Sequence, residues 1–138
     1  MSVIEITQEN LSETIDNNDI VLIDFWAPWC GPCQTFKPIF HDAAEKHPEA
    51  VYASCNTEEQ QEMATMFGIR SIPTVMVFRE KVGVFSQPGM LPAEALEDVL
   101  GQVKGLDMEE VHAQVAQQQG KGAQATANDV SEEEKPDR

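Results

Sequence analysis

Ile20-Val21-Leu22-Ile23-Asp24-Phe25-Trp26 is the stretch that most narrows what this chain can fold into. It is rich in β-branched and aromatic residues and apolar on both faces, with Asp24 the single exception. A strand that is apolar on both faces belongs in the middle of a sheet covered by helices on each side. By alternation Asp24 shares its face with Leu22 and Trp26, so the pattern buries a carboxylate. Burying one is costly without a partner or a purpose, and desolvation should raise its pKa. The plainer alternative is an aspartate at a strand end that reaches water or caps the next turn.

The rest of the chain supplies the cover. Val3 to Thr7 reads as a short first strand, and Leu11 with Ile15 as a short helix ending near Asn17-Asn18. Phe36, Ile39, Phe40, Ala43 and Ala44 mark a helix from Cys33 to about Lys46. Pro38 inside it removes a backbone donor and should kink it. Ala50–Cys55 reads as a third strand, Glu58–Met66 as a helix stopped by Gly68, Thr74–Phe78 as a fourth strand and Val82–Phe85 as a fifth. Leu96, Val99, Leu100 and Val103 fall on one face of a further helix. Early strands separated by helices imply parallel pairing, and the close fourth and fifth strands imply an antiparallel hairpin. The expected class is α/β, with a mixed five-stranded sheet flanked by helices. Arg79-Glu80-Lys81 joins that hairpin without the Asn-Gly or Asp-Gly pair such turns favour.

At 138 residues and 41% hydrophobic, the chain can bury one ordinary core without disulfide or metal support. The domain is expected to occupy residues 1–105. An added helix follows over 106–119, with Asp107 capping and Glu110 three residues on, and a thin stripe of Met108, Val111 and Val115. Gly120 should end it, leaving 120–138 as a disordered acidic tail poor in bulky apolar residues. The stripe could support a homodimer, although a monomer is the simpler expectation. Net charge is −15, from 24 acidic and 9 basic residues, a surface that repels phosphate backbones and argues against nucleic-acid binding. The N-terminus shows neither basic nor apolar signal regions, and no stretch reaches membrane-spanning length, so no membrane role and a cytoplasmic location are expected.

The chemistry lies at Cys30-Gly31-Pro32-Cys33, directly after the central strand and at the start of a helix. Side chains at i and i+3 of a first turn share one face about 5–6 Å apart. Slight tightening lets a disulfide close and reopen with little backbone movement. Pro32 is tolerated there because its missing N–H has no partner to lose. Cys30 would sit where free helix N–H groups and the positive dipole end favour a thiolate nucleophile. The competing reading is half of a zinc site. Its other ligands would have to come from Cys55, His41, His47 and His112, scattered and without a second Cys-x-x-Cys, so no metal is expected.

Phe25-Trp26-Ala27-Pro28-Trp29-Cys30-Gly31-Pro32-Cys33 resembles the active-site signature of the thioredoxin family. Phe67-Gly68-Ile69-Arg70-Ser71-Ile72-Pro73-Thr74 resembles that family's second signature, and Pro88-Gly89 falls where the family carries a glycine loop. The resemblance runs from about Val3 to Val103. It implies the thioredoxin fold and protein thiol–disulfide oxidoreductase activity, with no bound cofactor beyond a redox-active Cys30–Cys33 disulfide. It implies that Cys30 attacks a client disulfide, that Cys33 resolves the mixed disulfide, and that Asp24 moves protons to and from Cys33. It implies further that Pro73 is cis, that Ile72 pairs with client backbone, and that Trp29, Gly31, Pro32, Ile72, Pro73, Pro88, Gly89 and Met90 form the substrate-binding surface. Gly31-Pro32 is the reductase-type dipeptide of the family, whose electrons come from NADPH through a flavin-dependent thioredoxin reductase.

One departure stands out. Many family members place a lysine on the third strand beside the buried aspartate, and Ser54 occupies the matching position, which should alter the pH dependence of Cys33. Cys55 reads as a small buried hydrophobe, with a regulatory thiol as its alternative. His41 and His47 are expected on the solvated side of their helix. A dedicated reductase or co-chaperone, its partners chosen by the added helix, is the alternative function. A non-catalytic module that keeps the fold to stabilise a complex is a third, less consistent with a complete site.

Overall fold

The computed structural model describes residues 2–128, with side chains as far as residue 118. Five strands form one sheet: β1 (Val3–Glu5), β2 (Ile20–Trp26), β3 (Val51–Asn56), β4 (Thr74–Arg79) and β5 (Val82–Pro88). Their spatial order is β1-β3-β2-β4-β5. β1 and β2 lie parallel to β3, while β4 runs antiparallel to both β2 and β5. The helices are α1 (Leu11–Asp16), α2 (Gly31–Lys46), α3 (Gln61–Met66), α4 (Ala93–Lys104) and α5 (Met108–Asn128). The mixed sheet expected from the patterning is present, and β2 lies at its centre.

The pleat of β2 sends its residues alternately into two cores. Leu22 packs with Phe36, Phe40, Tyr52, Leu96, Leu100 and Val103 beneath α2 and α4. Val21, Ile23 and Phe25 pack with Ile6, Ala53, Cys55 and Met63 on the opposite face. Each such side chain removed from water contributes roughly 1.5–3 kcal/mol, so both faces of β2 must stay apolar. Pro38 lies within α2, which continues from Gly31 to Lys46 around it.

Three element boundaries differ from expectation for identifiable reasons. α3 starts at Gln61 rather than Glu58 because the Asn56 carbonyl and side chain hold a turn, accepting from the N–H groups of Glu59 (3.2 Å) and Glu58 (2.9 Å). β5 runs on past Phe85 to Pro88: β4 pairs with it as far as Thr74 opposite Pro88, so polar Ser86 and Gln87 join as exposed edge residues. α5 continues through Gly120 to Asn128, where a stop at Gly120 was expected. A helix-interior glycine costs only about 1 kcal/mol, and Ala, Gln and Lys around it favour helix. The remainder of the expected acidic tail, 129–138, lies outside the described residues.

Met1–Gly105 forms one compact unit, and the chain from Leu106 forms another. In the second, the Asp107 carboxylate accepts from the Glu110 N–H at 3.3 Å and caps the start of α5. Within the first, Arg79 donates to the carbonyls of Val103 (2.6 Å) and Lys104 (2.9 Å), satisfying the end of α4 with a cation. The hairpin turn places Glu80 and Lys81 at φ 49° and 74°. Two-residue hairpins take that left-handed turn because its twist matches the strands, even though neither residue is a glycine or asparagine.

Candidate active site

β2 ends at Trp26 and a short turn leads into α2, so the sheet's central strand delivers Cys30 to the helix N-terminus. Cys30 is the N-cap residue: its backbone is extended, and its sulfur accepts the Cys33 N–H at 3.2 Å. Cys30 and Cys33 form a disulfide with Cα atoms 5.2 Å apart. They are 5% and 2% exposed, packed with Ala27, Trp26 and Ile72. An accepting sulfur at a helix N-terminus is well placed to carry negative charge once reduced.

Asp24 lies on the same face of β2 as Leu22 and Trp26, as alternation requires. It is 4% exposed, and its Oδ1 finds no hydrogen-bond partner among the described residues. Burial pushes its carboxyl from 3.8 up to about 7. Its register partners are Ser54 on β3 and Val75 on β4. The neighbour on β3 is therefore a neutral hydroxyl. A cavity of about 50 Å³ joins Asp24 to Cys33, lined also by Trp26, Gln34, Lys37, Phe40, His41 and Ser54.

The second loop completes the rim. The Ile72–Pro73 peptide bond is cis. Ile72 is half-buried against the cysteine pair. The Gly89 N–H donates to the Pro73 carbonyl at 2.8 Å, which ties the end of β5 to this loop. Gly89 holds φ at 95°, a backbone conformation that side-chain-bearing residues rarely adopt. Trp29 (69% exposed) and Met90 (43% exposed) leave apolar surface open to solvent on the loops before Cys30 and after Gly89. Gly31, Pro32 and Pro88 are exposed as well, whereas Pro73 itself is buried.

Three contributors escape a reading of the sequence. Glu58, 29 positions away, accepts a hydrogen bond from the Trp29 indole, and nothing local signals that pairing. Lys37 and His41 reach the Asp24 cavity because they follow Cys33 at i+4 and i+8 on one face of α2. That spacing is visible in the chain, but it gains meaning only once the cavity is known. His41, expected on the solvated side, is exposed and also lines this cavity. Cys55 is fully buried, its thiol pushed up to about 11 by burial and secondarily by the Asp24 charge. Among the described residues, no three His, Cys, Asp or Glu side chains gather as a metal would require.

The thioredoxin family profile matches residues 2–102. This chain belongs to the thioredoxin family. It is 54% identical over 118 residues to a Streptomyces coelicolor protein assigned as a second thioredoxin, covering 86% of this chain and 88% of that one. An alignment of that length in a chain of 138 necessarily runs past Gly105 into α5. The thioredoxin of Porphyra purpurea is 39% identical over 102 residues, covering 72% of this chain and 95% of that one. Among solved structures, a point-mutant thioredoxin from Halobacterium salinarum superposes with a TM-score of 0.71 at 32% identity, covering 75% of this chain and 92% of that one. The fold is that of a thioredoxin, and the cysteine pair at its helix start makes the chain a thiol–disulfide oxidoreductase.

Proposed function

We propose that this thioredoxin is a general reductant of protein disulfides in the cytoplasm, recharged by a flavin-dependent thioredoxin reductase with electrons from NADPH. The observation that carries the reading is the disulfide-bonded pair at the α2 N-terminus, with Asp24 facing Cys33 across a shared cavity. In the reduced protein Cys30 is the thiolate. Its sulfur attacks one sulfur of a client disulfide, forming a mixed disulfide and releasing the first client thiolate. Asp24 takes the proton of Cys33, whose sulfur then attacks Cys30 and expels the second client thiolate. The client gains two electrons, and Cys30–Cys33 loses them. The reductase returns two electrons and the pair reopens.

Client backbone pairs with Ile72 beside Pro73, as a strand added to the loop, while Trp29, Gly31, Pro32, Pro88, Gly89 and Met90 cover the apolar surface around the reacting sulfur. Two variants test the scheme with insulin as client. Cys30→Ser should abolish reduction, and Cys33→Ser should arrest at a stable mixed disulfide recoverable under non-reducing conditions. Reduction by Cys30→Ser at the wild-type rate would overturn the assignment of the nucleophile.

A further inference from the structure

The cavity beside Asp24 has an inner and an outer end. Asp24, Cys33 and Phe40 form its buried part, while Gln34, Lys37 and His41 are exposed residues that also line it. Its exposed lining residues thus all belong to α2, and neither Trp29 nor the second loop lines it. At about 50 Å³ it has room for water, which needs roughly 10–15 Å³ by the same measure and polar partners. Residues with polar groups line it: Asp24, whose Oδ1 has no partner among the described residues, Ser54 and His41.

We propose that His41 is the positioning residue through which Asp24 exchanges its proton with solvent by way of water in this cavity. The inference rests on the proton-transfer role given to Asp24 above. When Cys33 closes the disulfide, its proton passes to Asp24 and must leave before the next cycle. The client docks over Cys30 and the Ile72–Pro73 loop, so the side on which the sulfurs face solvent is covered at that moment. The α2 side remains open. Of the residues there, Gln34 carries no exchangeable charge and Lys37 is an ammonium without an acceptor atom. The His41 imidazole carries both a donor and an acceptor nitrogen, so it can take a proton on one side and release one on the other.

The groups facing Asp24 are few. α2 presents Cys33, Lys37 and His41; β3 presents neutral Ser54 and, electrostatically, the Cys55 thiol; β4 pairs it with Val75. Among the described residues that line the cavity, the His41 imidazole is thus the exposed group able both to take a proton and to hand it on.

The test is single-turnover oxidation of the reduced full-length protein by insulin, followed from below to above neutral pH. His41→Ala should slow the step that closes Cys30–Cys33 by about tenfold or more around neutrality, somewhat under what a directly positioned acid–base group contributes. Free imidazole in the buffer should restore it. His41→Ala should add no further loss in an Asp24→Asn background. A His41→Ala protein with the wild-type profile overturns the relay. So does a deficit that imidazole does not relieve, or one that persists without the Asp24 carboxylate. A wild-type protein that fails to reduce insulin would instead overturn the reductase reading itself.

Discussion

Asp24 is a carboxylate held where water scarcely reaches it, and its stability consequence has a definite sign. Below about pH 3.8 both folded and unfolded chains carry its proton, and no penalty exists. Between there and about pH 7 only the unfolded chain ionises, so stability falls as pH rises, and above that range the penalty is complete. About three units at about 1.4 kcal/mol each place its size on the order of 4 kcal/mol. Asp24→Asn is therefore expected to raise the urea midpoint above neutrality, by up to a few kcal/mol in stability, and to leave it nearly unchanged in acid. The same variant should lose the inflection near pH 7 in the rate of Cys30–Cys33 closure. Cys55 makes a second prediction at this scale. With its thiol pushed up to about 11, it should stay unmodified when the reduced native protein is treated with iodoacetamide at neutral pH, while Cys30 reacts. Labelling at Cys55, read by mass spectrometry, would contradict its burial. Features that follow from immediate neighbours are legible in the chain: the cysteine pair from its spacing, and the burial of Asp24 from its break in an apolar strand. Glu58 and His41 are not, because their significance depends on contacts across the fold.

Elements show the same division. β2, α2 and α4 declare themselves through periodicity strong enough to survive local irregularities such as Pro38. α3 and β5 each depart at one end from the local pattern, since an asparagine-held turn and pairing with β4 override it. The hairpin at Glu80-Lys81 is an element whose departure from the favoured turn sequence is visible in the chain and whose geometry follows the favoured turn all the same. Two side-chain-bearing residues in the left-handed region each cost roughly 1–2 kcal/mol relative to glycine. Replacing Glu80-Lys81 with Asn-Gly is expected to stabilise the domain by about 1 kcal/mol or more, a rise of roughly 4–8 °C in Tm. An unchanged or lower Tm would mean that Glu80 or Lys81 makes compensating contacts. Arg79, one residue earlier, secures α4 from the sheet. Arg79→Met should cost about 1.5–3 kcal/mol, because it strips charged hydrogen bonds from the Val103 and Lys104 carbonyls.

Across the whole molecule, the net charge of −15 favours basic or neutral clients on approach. Reduction of a basic client should slow as salt is added through roughly the 0.01–0.15 M range, where the screening length falls from about 30 to about 8 Å, while an uncharged disulfide should be reduced at a constant rate. The compact unit Met1–Gly105 contains every residue assigned to the chemistry. A chain ending at Gly105 should reduce insulin at the full-length rate, and comparing partners trapped by Cys33→Ser in both lengths asks whether α5 selects among clients. β2 leaves one last constraint, a matter of parity. Because alternate residues of this strand serve opposite cores, deleting one residue from its middle would exchange the faces of everything on one side of the gap, so that a deletion at Ile23 would set Leu22 and Asp24 on opposite faces. Changes by two residues preserve the faces, yet carry Cys30 along the strand axis by about 6.5 Å, away from its present packing against Ile72. The strand thus acts as a ruler that cannot be recut: substitutions are open to this family member along β2, but changes of length are not.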